Sequence, residues 1–360
     1  MTKPKYSFYY TVVGSMLRTC FYTFYKRFET NGLENIPIEL PTLYVSNHQN
    51  SLMDPLVISI SQKKQPGFLA RADVFKNPKI AKYLYGLKMN PIYRIRDGVE
   101  SLKLNDEIFD RCSNNLSQND AIILFPEGSH LRKRNLRQFK KGFSRIAFTA
   151  ESSNDFSLNV MVIPIGLNYS EHIYANSDLL INYGKPINVT NYKERYLENP
   201  QMAMFEIREE VYQRMKELMV HIENEEYYTT IDELRTICRE IVFEKLEIKE
   251  NTLANQLKAD QYLVKTLENK IETDKAEIET LKEETVDYLK ELKKHKINEV
   301  LMKKNPGIAG NLLMSFLLIL ISPLFLFIAI NNAIPYSLIR LLIKKKIKDD
   351  HFHSSIKVVA

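Results

Sequence analysis
Residues 305–339 carry no formal charge, a run of 35 positions closed by Arg340. This run limits the fold more than any other feature, because a stretch so apolar has to leave water. As one helix rising ~1.5 Å per residue it would extend ~52 Å, well past a ~30 Å hydrocarbon core. Pro323 sits near its middle, and Asn331, Asn332 and Pro335 follow. These residues interrupt helices, so the sequence predicts a hairpin or re-entrant pair of apolar helices rather than one span. Lys303 and Lys304 precede the run; Arg340 and Lys344 to Lys346 follow it. Basic flanks on both sides predict that both ends face the cytoplasm. The competing reading is a buried pair of core helices.

Elsewhere the chain has an ordinary balance. Of 360 residues 44% are hydrophobic, which argues against a polytopic transporter and leaves length for a sizeable core and two domains. The net charge of +6, from 50 basic and 44 acidic residues, suits an anionic membrane surface or a phosphorylated substrate. With no recognition motif for it, nucleic acid is not an expected partner. Cys20, Cys112 and Cys238 are scattered and odd in number, which points to a reducing compartment without a disulfide framework. Residues 7–28 hold eight aromatics against three charges, Arg18, Lys26 and Arg27. They predict either an interfacial membrane helix over residues 1–30 or a helix packed on the core. No small-residue cleavage site follows, so no secretory leader is expected there.

From residue 40 to about 192 apolar runs of strand and helix character alternate. Predicted strands cover 42–46, 67–71, 91–95, 121–125, 160–168 and 179–184; predicted helices cover 55–61, 78–87, 99–116 and 142–152. The alternation predicts an α/β domain with a mixed or mostly parallel sheet flanked by helices. In such sheets ligands sit beyond the carboxyl ends of strands. His48, Arg71, Arg96 and Glu127 all fall at or just past such ends. His48 lies in the polar loop after the first of these strands, with Asp54 six residues on. A histidine can accept a proton near neutral pH, and a carboxylate beside it can fix the ring tautomer and stabilise the imidazolium. The chain has no G-x-S-x-G, so the base is expected to act on a substrate hydroxyl. Asp54 before Pro55 reads equally as a helix N-cap. A second signal, Phe125-Pro126-Glu127-Gly128-Ser129-His130, runs into Arg132, Lys133, Arg134, Lys140 and Lys141 before a helix. Cations and a helix start can hold a phosphate there, or the run is a solvated basic loop.

These residues resemble the glycerophospholipid acyltransferase family, whose four blocks occur here in order. They are His48 with Asp54, Gly67 to Arg71, Phe125-Pro126-Glu127-Gly128, and Val162-Ile163-Pro164-Ile165-Gly166. Five residues separate His48 from Asp54, one more than the family's commonest spacing, and Ser129-His130 replaces its usual Thr-Arg. Both departures resemble the glycerol-3-phosphate and dihydroxyacetone-phosphate branch found in fungi. The resemblance implies a membrane-bound O-acyltransferase of phospholipid synthesis. It would move a fatty acyl group from an acyl thioester, acyl-CoA or acyl carrier protein, to a hydroxyl of glycerol 3-phosphate or 1-acylglycerol 3-phosphate. His48 would be the base and Asp54 its orienter. Arg71, Arg94 or Arg96, and Arg132 would hold the phosphate, while Glu127, Gly128 and Ser129 order the acceptor or its loop. The resemblance implies neither metal nor cofactor beyond the thioester co-substrate, with the catalytic domain on the cytoplasmic face. Acylation of another lysolipid, ester hydrolysis and a non-catalytic membrane scaffold are the alternatives.

The acyltransferase domain is expected over residues 31–225. A helical region follows over 226–304, then the hydrophobic segment over 305–343 and a basic, polar tail over 344–360. His351 and His353 belong to that tail and are read as part of it, not as metal ligands. Between 246 and 292 there is no Pro or Gly; Leu257, Val264, Ile271, Ile278 and Leu292 recur in steps of seven with Thr285 in phase, and Leu253, Leu267, Leu281 and Tyr288 form a companion series broken by Asp260 and Asp274. This heptad seam predicts pairing either with a second copy or with a helix of the same chain.

Overall fold
The computed structural model describes residues 6–93, 99–295 and 307–346, in two compact units that divide between His221 and Ile222. In the first unit, helix α1 (Phe8–Phe24) leads to strand β1 (Arg27–Asn31) and then β2 (Thr42–Ser46). There follow α2 (Met53–Ser61), β3 (Gly67–Arg71), α3 (Pro78–Gly86), β4 (Met89–Ile92) and α4 (Val99–Ser117). The unit continues through β5 (Ala121–Leu124), α5 (Gly142–Ser152), β6 (Met161–Tyr169), β7 (Asp178–Tyr183) and β8 (Ile187–Asn188), and ends in α6 (Lys193–Glu198) and α7 (Pro200–Leu218). The strands form one mixed sheet in the order β1-β7-β6-β2-β5-β3-β4, with β8 also on β6. β6, β2, β5, β3 and β4 run parallel, while β7 and β8 pair antiparallel with β6.

All five residues of β2 are buried, as expected of a central strand covered on both faces. Leu43 and Val45 pack with Ile122, Val162, Phe143, Phe148 and the α7 residues Ile207 and Val211. Helix α2 covers the opposite face, and α1 lies against it, with Arg18 donating to the Ile60 carbonyl at the end of α2 (Nη2–O 2.6 Å). Tyr10 and Phe21 of α1 are buried, whereas Phe8, Val12 and Met16 remain exposed. Strand β4 spans 89–92 rather than the predicted 91–95, and Arg94 and Arg96 lie outside the described residues. Strands β1 and β8 have no counterpart in the sequence reading; each pairs only at the margin of the sheet, where burial leaves little apolar pattern.

In the second unit α8 (Tyr228–Ile237), α9 (Arg239–Lys245), α10 (Leu253–Thr273) and α11 (Lys275–His295) pack together. The heptad seam is split at Asp274, which ends α10 and accepts from the Glu277 amide at the start of α11 (3.2 Å). Leu257, Val264 and Leu267 are buried inside this unit, so the chain satisfies its own seam. Asp260, a break in the heptad pattern, is buried and accepts from Arg235 Nη1 (2.8 Å) and Arg239 Nε (2.7 Å). A buried carboxylate is tolerated when it is paired this way.

The apolar run forms one uninterrupted helix, α12 (Gly307–Lys346), and not the expected hairpin. The expected breakers are absorbed locally. Ser322 Oγ donates to the Ile319 carbonyl (2.7 Å), Asn331 Nδ2 to Phe327 (2.7 Å) and Asn332 Nδ2 to Ile328 (2.8 Å). Polar side chains that bond back to the preceding turn hide their polarity, and proline is better tolerated in apolar helices for similar reasons. Residues Gly307–Ala333 have a mean hydropathy of 2.8 and are long and apolar enough to cross a membrane.

Candidate active site
His48 follows the end of β2 by two residues, and Glu127 follows the end of β5 by three. Because β2, β5 and β6 are parallel neighbours, their carboxyl ends meet at one edge of the sheet. Asn47 fixes the departure of the loop: its Nδ2 donates to the Leu167 carbonyl (3.0 Å) and its Oδ1 accepts from the Leu167 amide (2.7 Å). The side-chain amide thus extends the β2–β6 ladder past Ser46. Gln49 and Asn50 then pin the loop to the Lys133 and His172 carbonyls (3.0 and 2.8 Å).

Asp54 is fully buried and accepts four hydrogen bonds. Oδ2 takes His48 Nδ1 (2.8 Å) and the amides of Gln49 (2.7 Å) and Asn50 (2.8 Å); Oδ1 takes Tyr169 Oη (2.6 Å). It is not the N-cap, since α2 begins at Met53 after Leu52. An ionised carboxylate bonded through Nδ1–H leaves His48 Nε2 as the bare acceptor of the neutral ring. The ring stacks on Phe125 at 4.1 Å between centroids, and its side chain is 15% exposed, open enough for a substrate to reach. Burial, followed by the Asp54 charge, pushes the Tyr169 phenol well above its ordinary value, so it stays a donor.

Glu127 is buried, and burial raises its carboxyl above the usual range against the opposing pull of His48 and Arg137. Oε1 accepts the His48 backbone amide (3.0 Å) and Oε2 accepts Arg137 Nε (3.1 Å). The carboxylate is therefore a strut between the histidine loop and an arginine. Arg137 Nη1 also donates to Ser129 Oγ (2.8 Å), and Nη2 to the Ser129 carbonyl. Gly128 turns the chain with φ +74°, and a Cβ there would come within 2.5 Å of Lys140 Nζ, which lies over it. Only glycine adopts this conformation without strain.

His48, Asp54, Glu127, Gly128 and Ser129 thus gather at one place. Arg71 ends β3 at the same sheet edge, with its guanidinium on Asp73 (Nε–Oδ1 3.1 Å). Arg132 is half-buried, with Nε and Nη2 withdrawn from solvent. Sequence reasoning missed Tyr169 and Arg137. Tyr169 ends a strand whose register against β2 no local pattern reveals. Arg137 is one cation in a basic run, and only the fold singles it out.

Residues 27–168 match the model of the Acyltransferase family. The chain is 29% identical over 198 residues to a chloroplastic 1-acyl-sn-glycerol-3-phosphate acyltransferase of Brassica napus, covering 54% of this chain and 52% of that protein. A chloroplastic 1-acyl-sn-glycerol-3-phosphate acyltransferase of Arabidopsis thaliana is 31% identical over 167 residues, covering 45% and 42%. Glycerol-3-phosphate O-acyltransferase 2 of Saccharomyces cerevisiae is 28% identical over 108 residues, covering 30% and 14%. The chain spans about half the length of the Brassica relative or less of the others. The crystal structure of a Thermotoga maritima 1-acyl-sn-glycerophosphate acyltransferase aligns with TM-score 0.40 and 19% identity, over 57% of this chain and 78% of that one.

Proposed function
We propose that this protein transfers a fatty acyl group from an acyl thioester to a hydroxyl of glycerol 3-phosphate or 1-acylglycerol 3-phosphate. The observation that carries the reading is the buried Asp54 bonded to His48 Nδ1, which leaves Nε2 of a partly exposed ring to take a proton. As the acceptor oxygen attacks the thioester carbonyl, its proton passes to Nε2, and Asp54 stabilises the imidazolium. Collapse of the tetrahedral intermediate breaks the carbon–sulfur bond, and the proton on Nε2 goes to the departing thiolate. The products are one ester and one free thiol, so the proton is balanced without another reactant. The relatives named for 1-acyl-sn-glycerol-3-phosphate and glycerol 3-phosphate support the acceptor class. In the test, purified protein receives a labelled acyl-CoA and a panel of phosphorylated glycerol acceptors. The expected result is acceptor-dependent release of free thiol with a new ester identified by mass; fatty acid and free thiol released without acceptor would make the protein a thioester hydrolase instead.

Helix α12 is the proposed membrane span, with the catalytic domain on the cytoplasmic face. Its apolar part, Gly307–Ala333, is ~40 Å long at ~1.5 Å per residue, which crosses a ~30 Å core with tilt. A single span puts Lys303 and Lys345 on opposite faces. Single cysteines at those positions, in a chain cleared of Cys20, Cys112 and Cys238, should therefore differ toward a membrane-impermeant thiol reagent. Lys345→Cys should label in intact cells and Lys303→Cys only in inverted vesicles. Labelling of both only in inverted vesicles would restore the hairpin.

A further inference from the structure
Gly67, Met89 and Ala121 open β3, β4 and β5, three parallel strands in which β3 lies between the other two. Their amino ends meet at the sheet edge opposite the one that carries His48. A cavity of about 280 Å³ is lined by these strand ends and by α4. Its floor is apolar, with Met89, Ala121 and Ile122 all buried. Its rim is polar. Arg111 and Asn115, four positions apart, share one face of α4, and Asn90 of β4 joins them. Arg111 is exposed and the two asparagines are half-buried. None of these three side chains forms a hydrogen bond or ion pair with a described residue.

The remaining wall is a fixed ion pair. Lys88 Nζ donates to Asp120 Oδ1 (2.8 Å), with the side chains 18% and 15% exposed. Lys88 follows the C-terminal end of α3 with φ +57°, where glycine is the default residue. The chain thus holds a cation at a position whose backbone disfavours any side chain. Asp120 is pinned on both sides: its amide donates to the Asn115 carbonyl (3.1 Å), and its carbonyl accepts from the Thr42 amide (3.3 Å). Gly67 lets the wall close, since a Cβ there would come within 2.5 Å of the Lys88 carbonyl. Lys88 and Asp120 cancel, so Arg111 leaves the lining with a net positive charge.

A carboxamide presents both a donor and an acceptor, which match the two capacities of a hydroxyl. Two such amides beside an apolar floor suit a ligand with several hydroxyls. The guanidinium at the rim suits a phosphate, which it can hold through two parallel N–H groups. At ~30 Å³ per water, the cavity has room for about nine waters, the bulk of a phosphorylated polyol of about three to five carbons. We propose that this cavity binds a small polyol phosphate, with its hydroxyls on Asn90 and Asn115 and its phosphate on Arg111 and Lys88. The four residues of β5, ~13 Å at ~3.3 Å each, run from this site toward the catalytic edge. The site shares no residue with the candidate active site, so it stands apart from the acyl-transfer reading.

The test is calorimetric titration of the full chain in detergent micelles with glycerol 2-phosphate, ribose 5-phosphate and inorganic phosphate. Both esters should bind at least ~10-fold more tightly than inorganic phosphate, which leaves the amides unused. Arg111→Gln should weaken the esters by ~10-fold or more. Asn115→Asp keeps the side chain's shape, brings a negative charge to the site and should weaken them as much. Arg111 is exposed, so its replacement should leave the melting transition in place. The Arg111-dependent binding should persist in Arg137→Ala, which alters only the candidate active site. Absence of ester binding, or equal affinity for the esters and inorganic phosphate, would overturn the proposal. So would ester binding that survives Arg111→Gln and is lost in Arg137→Ala, because the esters would then sit at the catalytic edge. Arg111-dependent binding to phosphatidylglycerol vesicles without binding of either free ester would also overturn it, and would assign the site to a lipid headgroup.

Discussion
Replacing His48 with alanine should lower kcat by ~10²–10⁴ while the protein stays folded, because the acceptor hydroxyl loses its proton acceptor. The side chain is partly open and its ring contacts are few: Asp54, Phe125 and an edge of His130 at 5.5 Å. Asp54→Asn should come close to the same loss. An amide at this position cannot stabilise an imidazolium, and its NH₂ group faces donors already in place on Gln49, Asn50 and Tyr169. Tyr169→Phe removes one of the four bonds to Asp54 and leaves the other three. Its expected effect is smaller, ~10-fold in kcat, in line with a hydrogen bond to a charged group. The order of the three variants is the diagnostic quantity, read with an unmodified melting transition for each. A folded His48→Ala protein that turns over at the wild-type rate would remove the histidine from the chemistry.

Much of this arrangement is legible in the chain itself. The strand before His48 announces itself by its apolar run, and the helix after it by Pro55, so the loop that carries His48 can be placed without coordinates. The same holds for Glu127 at the end of a four-residue apolar strand. What the sequence hides is pairing at a distance. Tyr169 meets Asp54 across 115 positions, and Asn47 meets Leu167 across 120, because β6 lies beside β2. Both contacts depend on strand register, which periodicity does not encode. The C-terminal run misled for a different reason. Pro323 and the asparagine pair break helices in water, where unbonded carbonyls and polar side chains find solvent; in an apolar helix those side chains turn back onto the preceding carbonyls. Asp260 and Asp274 likewise read as defects in a seam until two arginines and a helix break give them partners.

Arg137→Ala should raise the KM for a phosphorylated acceptor by ~10- to 100-fold, the loss of a charge-assisted contact of ~1.5–3 kcal/mol. A guanidinium has five N–H donors. Arg137 uses one on Glu127 and two on Ser129, and the remaining two sit on a side chain that is 36% exposed beside the histidine loop. Two N–H groups on one planar fork match two oxygens of a phosphate. Lysine keeps the charge but not the fork, so Arg137→Lys should recover only part of the loss. Arg137 also supports Glu127, and through it the His48 amide, so a fall in kcat alone would indicate misplacement of the base. Glu127→Gln separates the two effects. Its side-chain carbonyl can still accept the His48 amide, whereas its NH₂ group can no longer accept from Arg137, so the arginine loosens while the histidine loop stays. An acceptor KM raised by both Arg137→Ala and Glu127→Gln, with the KM for the acyl donor unchanged, places the phosphate on this arginine. If Arg132→Ala raises the acceptor KM while Arg137→Ala leaves it untouched, the anion is held on the other side of the basic loop.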